Sequence, residues 1–246
     1  MYPISTHTTR ILVDIPDPIF RDLGNSSAVR AYLQERVAPV VPNGMRPQLR
    51  LAIKSGRLQS MPNAWMPSTR NTTPGLITVG DASNMRHPIT GSGMTVALKD
   101  AALLASLLNP ADIPHLNDSD AVLRAMRCFH WKRKTHSASL NILAQALYLL
   151  FVSEDRNLVI MQRGFVRYVQ EGEKRFAEPA WIMGGLTSNP FGLFYHFLSI
   201  AMYSIRLHLA QSASLSEWIS ALGQSVGVLF SAVGIISRLV VDELKP

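Results

Sequence analysis

Leu76-Ile77-Thr78-Val79-Gly80-Asp81-Ala82-Ser83-Asn84-Met85-Arg86-His87-Pro88-Ile89-Thr90-Gly91-Ser92-Gly93-Met94-Thr95 decides how this chain is read. The apolar run Leu76 to Val79 predicts a short buried strand, and Val96 to Leu104 predicts an apolar helix behind the glycine pair. Strand, polar turn, paired glycines and helix make the local architecture of an anion- or nucleotide-binding βα unit. Gly91 and Gly93 let the backbone approach a ligand closely, and the N–H groups of the helix starting there favour negative charge. Asp81, at the carboxyl end of the strand, is placed to accept hydrogen bonds from a ligand's hydroxyls. Glycine spacing alone more often marks an ordinary turn, so the neighbouring residues must carry the reading.

Working outward, residues 1–14 read as an extended strand that Pro16 and Pro18 end. Ser27 to Val37 predicts a short amphipathic helix with a serine cap, and Leu58 to Met66 a strand interrupted at Pro62. The first helix after the glycine turn is expected over Met94 to Leu108, followed by a polar loop from Asn109 to Asp118. From Asp120 onward the pattern is helical: Asp120 to Phe151, Arg156 to Gln170, Pro190 to Leu209 and Ser214 to Leu244. In the first of these Leu140, Leu143, Leu147, Leu150 and Phe151 share one face, leaving Asn141, Gln145 and Tyr148 as a narrow polar stripe.

The chain has 246 residues, 47% of them apolar and 17% charged. Mean hydropathy is +0.12, apolar for a soluble protein and too polar for a polytopic membrane protein. A net charge of +7 and a pI near 9.9 point to an acidic partner surface. No basic and aromatic interleaving of a nucleic-acid motif is present, and anionic lipid suits the apolar second half better. The single cysteine, Cys128, excludes an intrachain disulfide and favours a reducing, cytosol-facing environment. The opening residues lack a basic segment followed by an apolar core, the signal-peptide pattern. Ile219 to Ser237 is 19 residues without a charge, roughly 28 Å as helix at ~1.5 Å per residue. Gly223, Gly227 and Ser231 place small residues on one stripe of it. Lys132-Arg133-Lys134 beside Trp131 reads equally as a lipid-headgroup contact or a solvated helix face.

Gly80-Asp81, Asn84 to Pro88 and Thr90 to Thr95 together resemble the second flavin-contacting motif of the squalene monooxygenase (squalene epoxidase) family, FAD-dependent relatives of the aromatic-ring hydroxylases. The resemblance extends over Ile4-Ser5, Thr9-Arg10 to Asp14, Ser60 to Asn63, Asn141 to Tyr148, Asn189-Pro190 and Phe197. It implies a partial α/β fold of the FAD-dependent aromatic-hydroxylase type over residues 1–110, then an all-helical, membrane-associated region over 111–246. In the family a preceding βαβ unit with G-x-G-x-x-G holds the ADP half of FAD. Gly24 cannot substitute for it, so the resemblance implies the carboxyl-terminal half of such an enzyme.

The implied reaction is epoxidation of squalene to 2,3-oxidosqualene, with electrons from NADPH passed on by an NADPH–cytochrome reductase, at the cytosolic face of the endoplasmic reticulum membrane. By resemblance Asp81 holds the ribityl chain, Gly91, Gly93 and Met94 approach the flavin ring, and Arg86, His87 and Pro88 lie beside the cofactor. Phe165, Pro190, Phe191, Phe194, His196 and Phe197 are the candidate wall for an apolar substrate, against a reading as core or membrane-facing residues. No side chain is assigned as the catalytic group. The family pattern has three consecutive glycines where this chain has Gly91-Ser92-Gly93, a change that is harmless if residue 92 keeps a negative φ. The seven histidines are scattered and predict no metal site. Two other functions remain open: a membrane-associated remnant that binds no flavin, and a flavin monooxygenase acting on another terpenoid.

Overall fold

Helices account for almost all regular structure in the computed structural model, which describes residues 1–61, 63–187 and 189–245. The backbone falls into two compact units, residues 1–63 and 64–246.

In the first unit the predicted strand is a hairpin. β1 (Tyr2–Ser5) pairs antiparallel with β2 (Thr8–Arg10), because Thr6-His7 turns the chain back. Among the described residues three α-helices follow: α1 (Asp17–Leu23), α2 (Ser26–Tyr32), which runs on as a π turn to Val37, and α3 (Arg46–Ser55). The cap of α2 is Asn25 and not a serine, its side chain accepting from the Ala28 N–H at 2.9 Å. Buried Leu33, Ala38, Val41 and Ile53 form the small core. Arg30 ties α2 to the end of α3 by donating to the carbonyls of Ile53 and Gly56. The predicted strand from Leu58 to Met66 is absent among the described residues, and Pro62 lies outside them. What remains is one isolated bridge, Met66 with Met85.

Among the described residues the second unit carries the glycine turn and six α-helices: α4 (Gly93–Leu107), α5 (Ser119–Val152), α6 (Arg156–Gln170), α7 (Glu173–Met183), α8 (Pro190–Ala210) and α9 (Leu215–Leu244). Asp118, Asp155, Asn189 and Ser214 cap α5, α6, α8 and α9, each accepting a backbone N–H of the first turn. The sequence pattern anticipates all of these but α7, whose Pro179 and following Gly184-Gly185 hide the helical period.

Residues 76–79 do not form the predicted buried strand. Leu76 is 55% and Val79 45% exposed, and no strand pairs with them among the described residues. An apolar run becomes a strand only when neighbouring strands take up its backbone hydrogen bonds. Here the support is a side chain: Asn71 accepts from the Thr78 N–H at 2.6 Å and donates to its carbonyl at 3.1 Å.

Two cores stack along α5. Its amino-terminal half packs Val122, Ala125, Met126 and Phe129 on Ile113 and on Leu103, Leu104 and Leu107 of α4. Its carboxyl-terminal half, with Ile142, Leu143, Ala146, Leu147 and Leu150, sits among Met161 of α6, Ile182 of α7, Phe197 and Ala201 of α8, and Val228 and Ala232 of α9. Small residues set the closest approaches. A Cβ at Gly164 would lie 1.7 Å from the Ser204 hydroxyl, and one at Gly227 would lie 2.9 Å from the Asn157 side chain, which also donates to Ser231. The Gly227–Ser231 stripe therefore seats α6. α5 and α9 are both long and apolar enough to cross a membrane. α5 is enclosed by its neighbours from Ser137 to Leu150 and exposes Trp131, Phe151 and Val152, whereas α9 buries one face and exposes Trp218, Leu222, Val226, Phe230 and Val233 on the other.

Candidate functional site

The glycine turn folds as two short 3-10 turns, Gly80–Ala82 and Pro88–Thr90, that lead into α4. The first packs against α4 and the second against α5. Gly80 at φ +61° and Gly91 at φ +65° occupy the left-handed region that favours glycine. Ser92 has φ −83°, so the serine in place of a family glycine is unstrained, and its hydroxyl lies 2.9 Å from that of Thr90.

A Cβ at Gly91 or Gly93 would meet nothing within 4 Å. Protein packing does not demand these glycines, and the space in front of α4 is open. Ser92 makes no side-chain cap bond, so it leaves the leading N–H groups of α4 free of a capping oxygen. Asp81, Pro88, Gly91 and Met94 are exposed, with Asp81 on the turn that packs against the helix. Together they make a surface able to take a ligand carrying hydroxyls and a partial negative charge.

Arg86 and His87 lie behind that surface. Arg86 is 8% exposed, donating from Nε to Asn141 Oδ1 at 2.9 Å and from Nη2 to Asn84 Oδ1 at 2.7 Å. Burial, and the nearby charge of Arg133, push its guanidinium below the ordinary value. His87 is buried, stacked on Tyr148 at 4.3 Å between ring centres, and its Nδ1 accepts from the Ile89 N–H. The polar stripe of α5 thus has a purpose: Asn141 holds Arg86, Tyr148 holds His87, and Gln145 lies between them on the same face, its Oε1 buried without a partner among the described residues.

The stripe continues into a charged cluster that the sequence reading missed. Arg133, drawn from the basic run 132–134, is neither solvated nor at a lipid surface: it is 1% exposed. It donates to both carboxylate oxygens of Asp100, to the Ser68 hydroxyl at 2.7 Å and to Asn84. His136 Nε2 lies 2.8 Å from Asp100 Oδ1. Lys134 donates to the carbonyls of Glu243 and Lys245, while Lys132 is exposed. The available signal was Asp100 at helical spacing among apolar residues, a carboxylate that burial obliges to find a cation. Lys99 adds a bond to the Gly185 carbonyl at 2.6 Å, fixing α4 to the α7–α8 turn.

The candidate wall residues do not share one surface. Phe191, 85% exposed, and Phe194 lie on the open side of α8 beside exposed Pro190. Phe165 packs partly buried against the core and edge-on to Phe151. Phe197 is in the core. His196 is buried between the Tyr168 hydroxyl at 3.0 Å and Glu178 Oε2 at 2.9 Å. Among the described residues no group of three histidine, cysteine or carboxylate side chains could hold a metal ion.

A glycine turn opening onto a helix terminus and braced by the buried Arg133–Asp100 pair is set in a helical body. The squalene epoxidase family model matches residues 1–222, and the chain belongs to that family. It is 44% identical to Squalene epoxidase erg1 of Aspergillus fumigatus over 83% of this chain and 42% of that one. It is 37% identical to the Squalene monooxygenase of Mus musculus over 100% of this chain and 41% of that one. It is likewise 37% identical to Squalene epoxidase 2, mitochondrial, of Arabidopsis thaliana over 99% of this chain and 40% of that one. The chain spans less than half the length of these relatives.

Proposed function

We propose that this chain supplies the flavin-edge and membrane-associated part of an FAD-dependent enzyme that epoxidises squalene to 2,3-oxidosqualene. The open, uncapped terminus of α4 next to the exposed Asp81 turn carries this reading. Those residues fit the ribityl and flavin portion of FAD: a carboxylate for hydroxyls, glycines where a Cβ would project into the ligand's space, and N–H groups facing negative charge. When bound, the flavin supplies activation of O₂ for oxygen transfer to an alkene.

The protein's own part is binding and exclusion. Asp81 accepts from hydroxyls, and the α4 terminus favours negative charge on the ring. Arg86, buried among Asn84 and Asn141, braces the loop from behind. His87 keeps its ring against Tyr148. In this reading residues 1–110 contribute the partial FAD and substrate portion, and 111–246 the membrane-associated helices. A substrate without polar groups needs an apolar wall. Phe191 and Phe194, with Pro190, offer its exposed part, and Phe165, His196 and Phe197 the packing behind it. The outward apolar faces of α8 and α9 would rest on the cytosolic side of the endoplasmic reticulum membrane, where an NADPH–cytochrome reductase would supply electrons.

The test is to join these residues to the amino-terminal part of a squalene epoxidase relative and measure bound flavin and product. The expected result is a yellow protein that forms 2,3-oxidosqualene with NADPH and a reductase. A folded fusion without flavin would leave a membrane-associated, non-catalytic role. A flavin-loaded fusion inert on squalene would shift the substrate to another terpenoid.

A further inference from the structure

We propose that Glu243 is a positioning residue for the Asp81–Met94 loop, orienting Arg86 from the carboxyl end of α9 through Asn141. The chain of bonds is continuous. Glu243 Oε1 accepts from Asn141 Nδ2 at 2.7 Å, Asn141 Oδ1 accepts from Arg86 Nε at 2.9 Å, and Arg86 donates onward to Asn84 at 2.7 Å. Asn84 in turn donates to the Met66 carbonyl. All four side chains are buried.

The chemistry of a carboxylate matters here more than its contribution to stability. An asparagine amide has one accepting end and one donating end, and a half-turn exchanges them. Arg86 Nε can only donate and Glu243 Oε1 accepts, so the two together hold Asn141 with Oδ1 toward Arg86 and Nδ2 toward α9. An apolar residue of similar size at 243 removes the anchor on the Nδ2 side and leaves Asn141 held by Arg86 alone, while avoiding the cost of a buried carboxylate whose Oε2 has no partner among the described residues. The end of α9 stays seated in either case, because Lys134 grips the backbone carbonyls of residues 243 and 245 and not the side chain.

This deepens the flavin-edge reading and rests on it for the ligand concerned. It also links α9, which exposes an apolar face, to the loop of that reading.

The experiment is hydrogen exchange on the full 246-residue chain in detergent, comparing Glu243→Leu and Glu243→Gln with the parent. Glu243→Leu is expected to speed exchange in residues 80–94 about tenfold, while peptides of α6 and α8 are unchanged and resistance to urea holds or rises. Glu243→Gln, which keeps an accepting Oε1, restores slow exchange. Unchanged exchange in 80–94 for the leucine variant, or a uniform rise across α6 and α8, overturns the proposal, since the second outcome is global destabilisation. The fusion bearing Glu243→Leu should also bind FAD more weakly. A loosened loop in a fusion that binds no flavin upholds the positioning role and removes only the ligand.

Discussion

Arg133 of α5 donates through Nη2 to Asp100 Oδ2 of α4 at 2.6 Å, with both side chains no more than 2% exposed. This pair, with His136 on the other carboxylate oxygen, locks the helix that carries the glycine turn onto the longest helix of the chain. Removing one partner leaves the other charge buried and unpaired by its cation or carboxylate. Arg133→Met should therefore lose about 3–5 kcal/mol of stability, read as a lower urea midpoint at constant slope. A loss under about 1 kcal/mol, the scale of a surface pair, would show that Asp100 finds other partners.

The cluster predicts two opposite pH dependences. Burial raises the Asp100 carboxyl, but hydrogen bonds from His136 and Arg133 outweigh it and hold the group below its ordinary 3.8. Its stabilisation is complete above pH 3.8 and disappears as pH falls through the lowered value. Glu243 is raised above its ordinary 4.5 by burial, despite the Asn141 bond and the nearby cations. Its folded form prefers the proton, so its contribution is complete below 4.5 and lost as pH rises through the raised value. The stability of Glu243→Gln relative to the parent should therefore climb as pH rises from 4.5 through that raised value, and Asp100→Asn should flatten the acid limb. Parallel curves for Glu243→Gln and the parent would contradict this.

Gly91 and Gly93 should separate backbone from ligand demands. Gly91→Ala forces an L side chain to φ +65° and should cost about 1–2 kcal/mol. Gly93→Ala has ordinary helical backbone and open space, so folding should be unharmed and helix propensity slightly improved. If the flavin edge sits there, Gly93→Ala nevertheless weakens FAD binding in the fused protein. Normal stability together with normal flavin affinity would remove Gly93 from the site.

Asp81→Ala tests the same surface from the other side. The residue is exposed, so its loss should leave unfolding unchanged. Hydrogen bonds from hydroxyls to a carboxylate are worth roughly 1.5–3 kcal/mol each. FAD affinity of the fusion should thus drop about tenfold or more. Isothermal titration returning the parental affinity would exclude the aspartate.

Much of the helical body was legible from Leu143, Leu147 and Leu150 or from Arg156 to Gln170, because burial on one face imposes a period of ~3.6 residues. The stripe Asn141, Gln145, Tyr148 was equally readable, though its counterpart, the Arg86-His87 loop, was not, since spacing along one helix does not say what packs against it. Leu76 to Val79 misled because an apolar run specifies burial and not the partner that buries it. Arg133 misled for the reverse reason: two exposed or half-exposed lysines flank it, and only the distant Asp100 explains why it turns inward.

Membrane attachment can be tested without dismantling the core. Deleting residues 188–246 would remove Phe197, Ala201, Val228, Ala232 and Ile236 from the main hydrophobic cluster, so a soluble product would reflect unfolding as much as lost anchoring. Leu222 and Phe230 lie on the outward face of α9, Phe230 at 76% exposure, opposite the buried Ala221, Val228 and Ala232. Full burial of one such side chain is worth about 1.5–3 kcal/mol. The double substitution Leu222→Glu, Phe230→Glu should therefore reduce partition onto anionic vesicles by more than about tenfold, with the urea midpoint little changed. Ala232→Glu, aimed into the core, should instead unfold the protein. Undiminished vesicle binding by the double variant would move the anchor to another face, with exposed Phe191, Tyr195, Leu198 and Met202 of α8 the next to be charged.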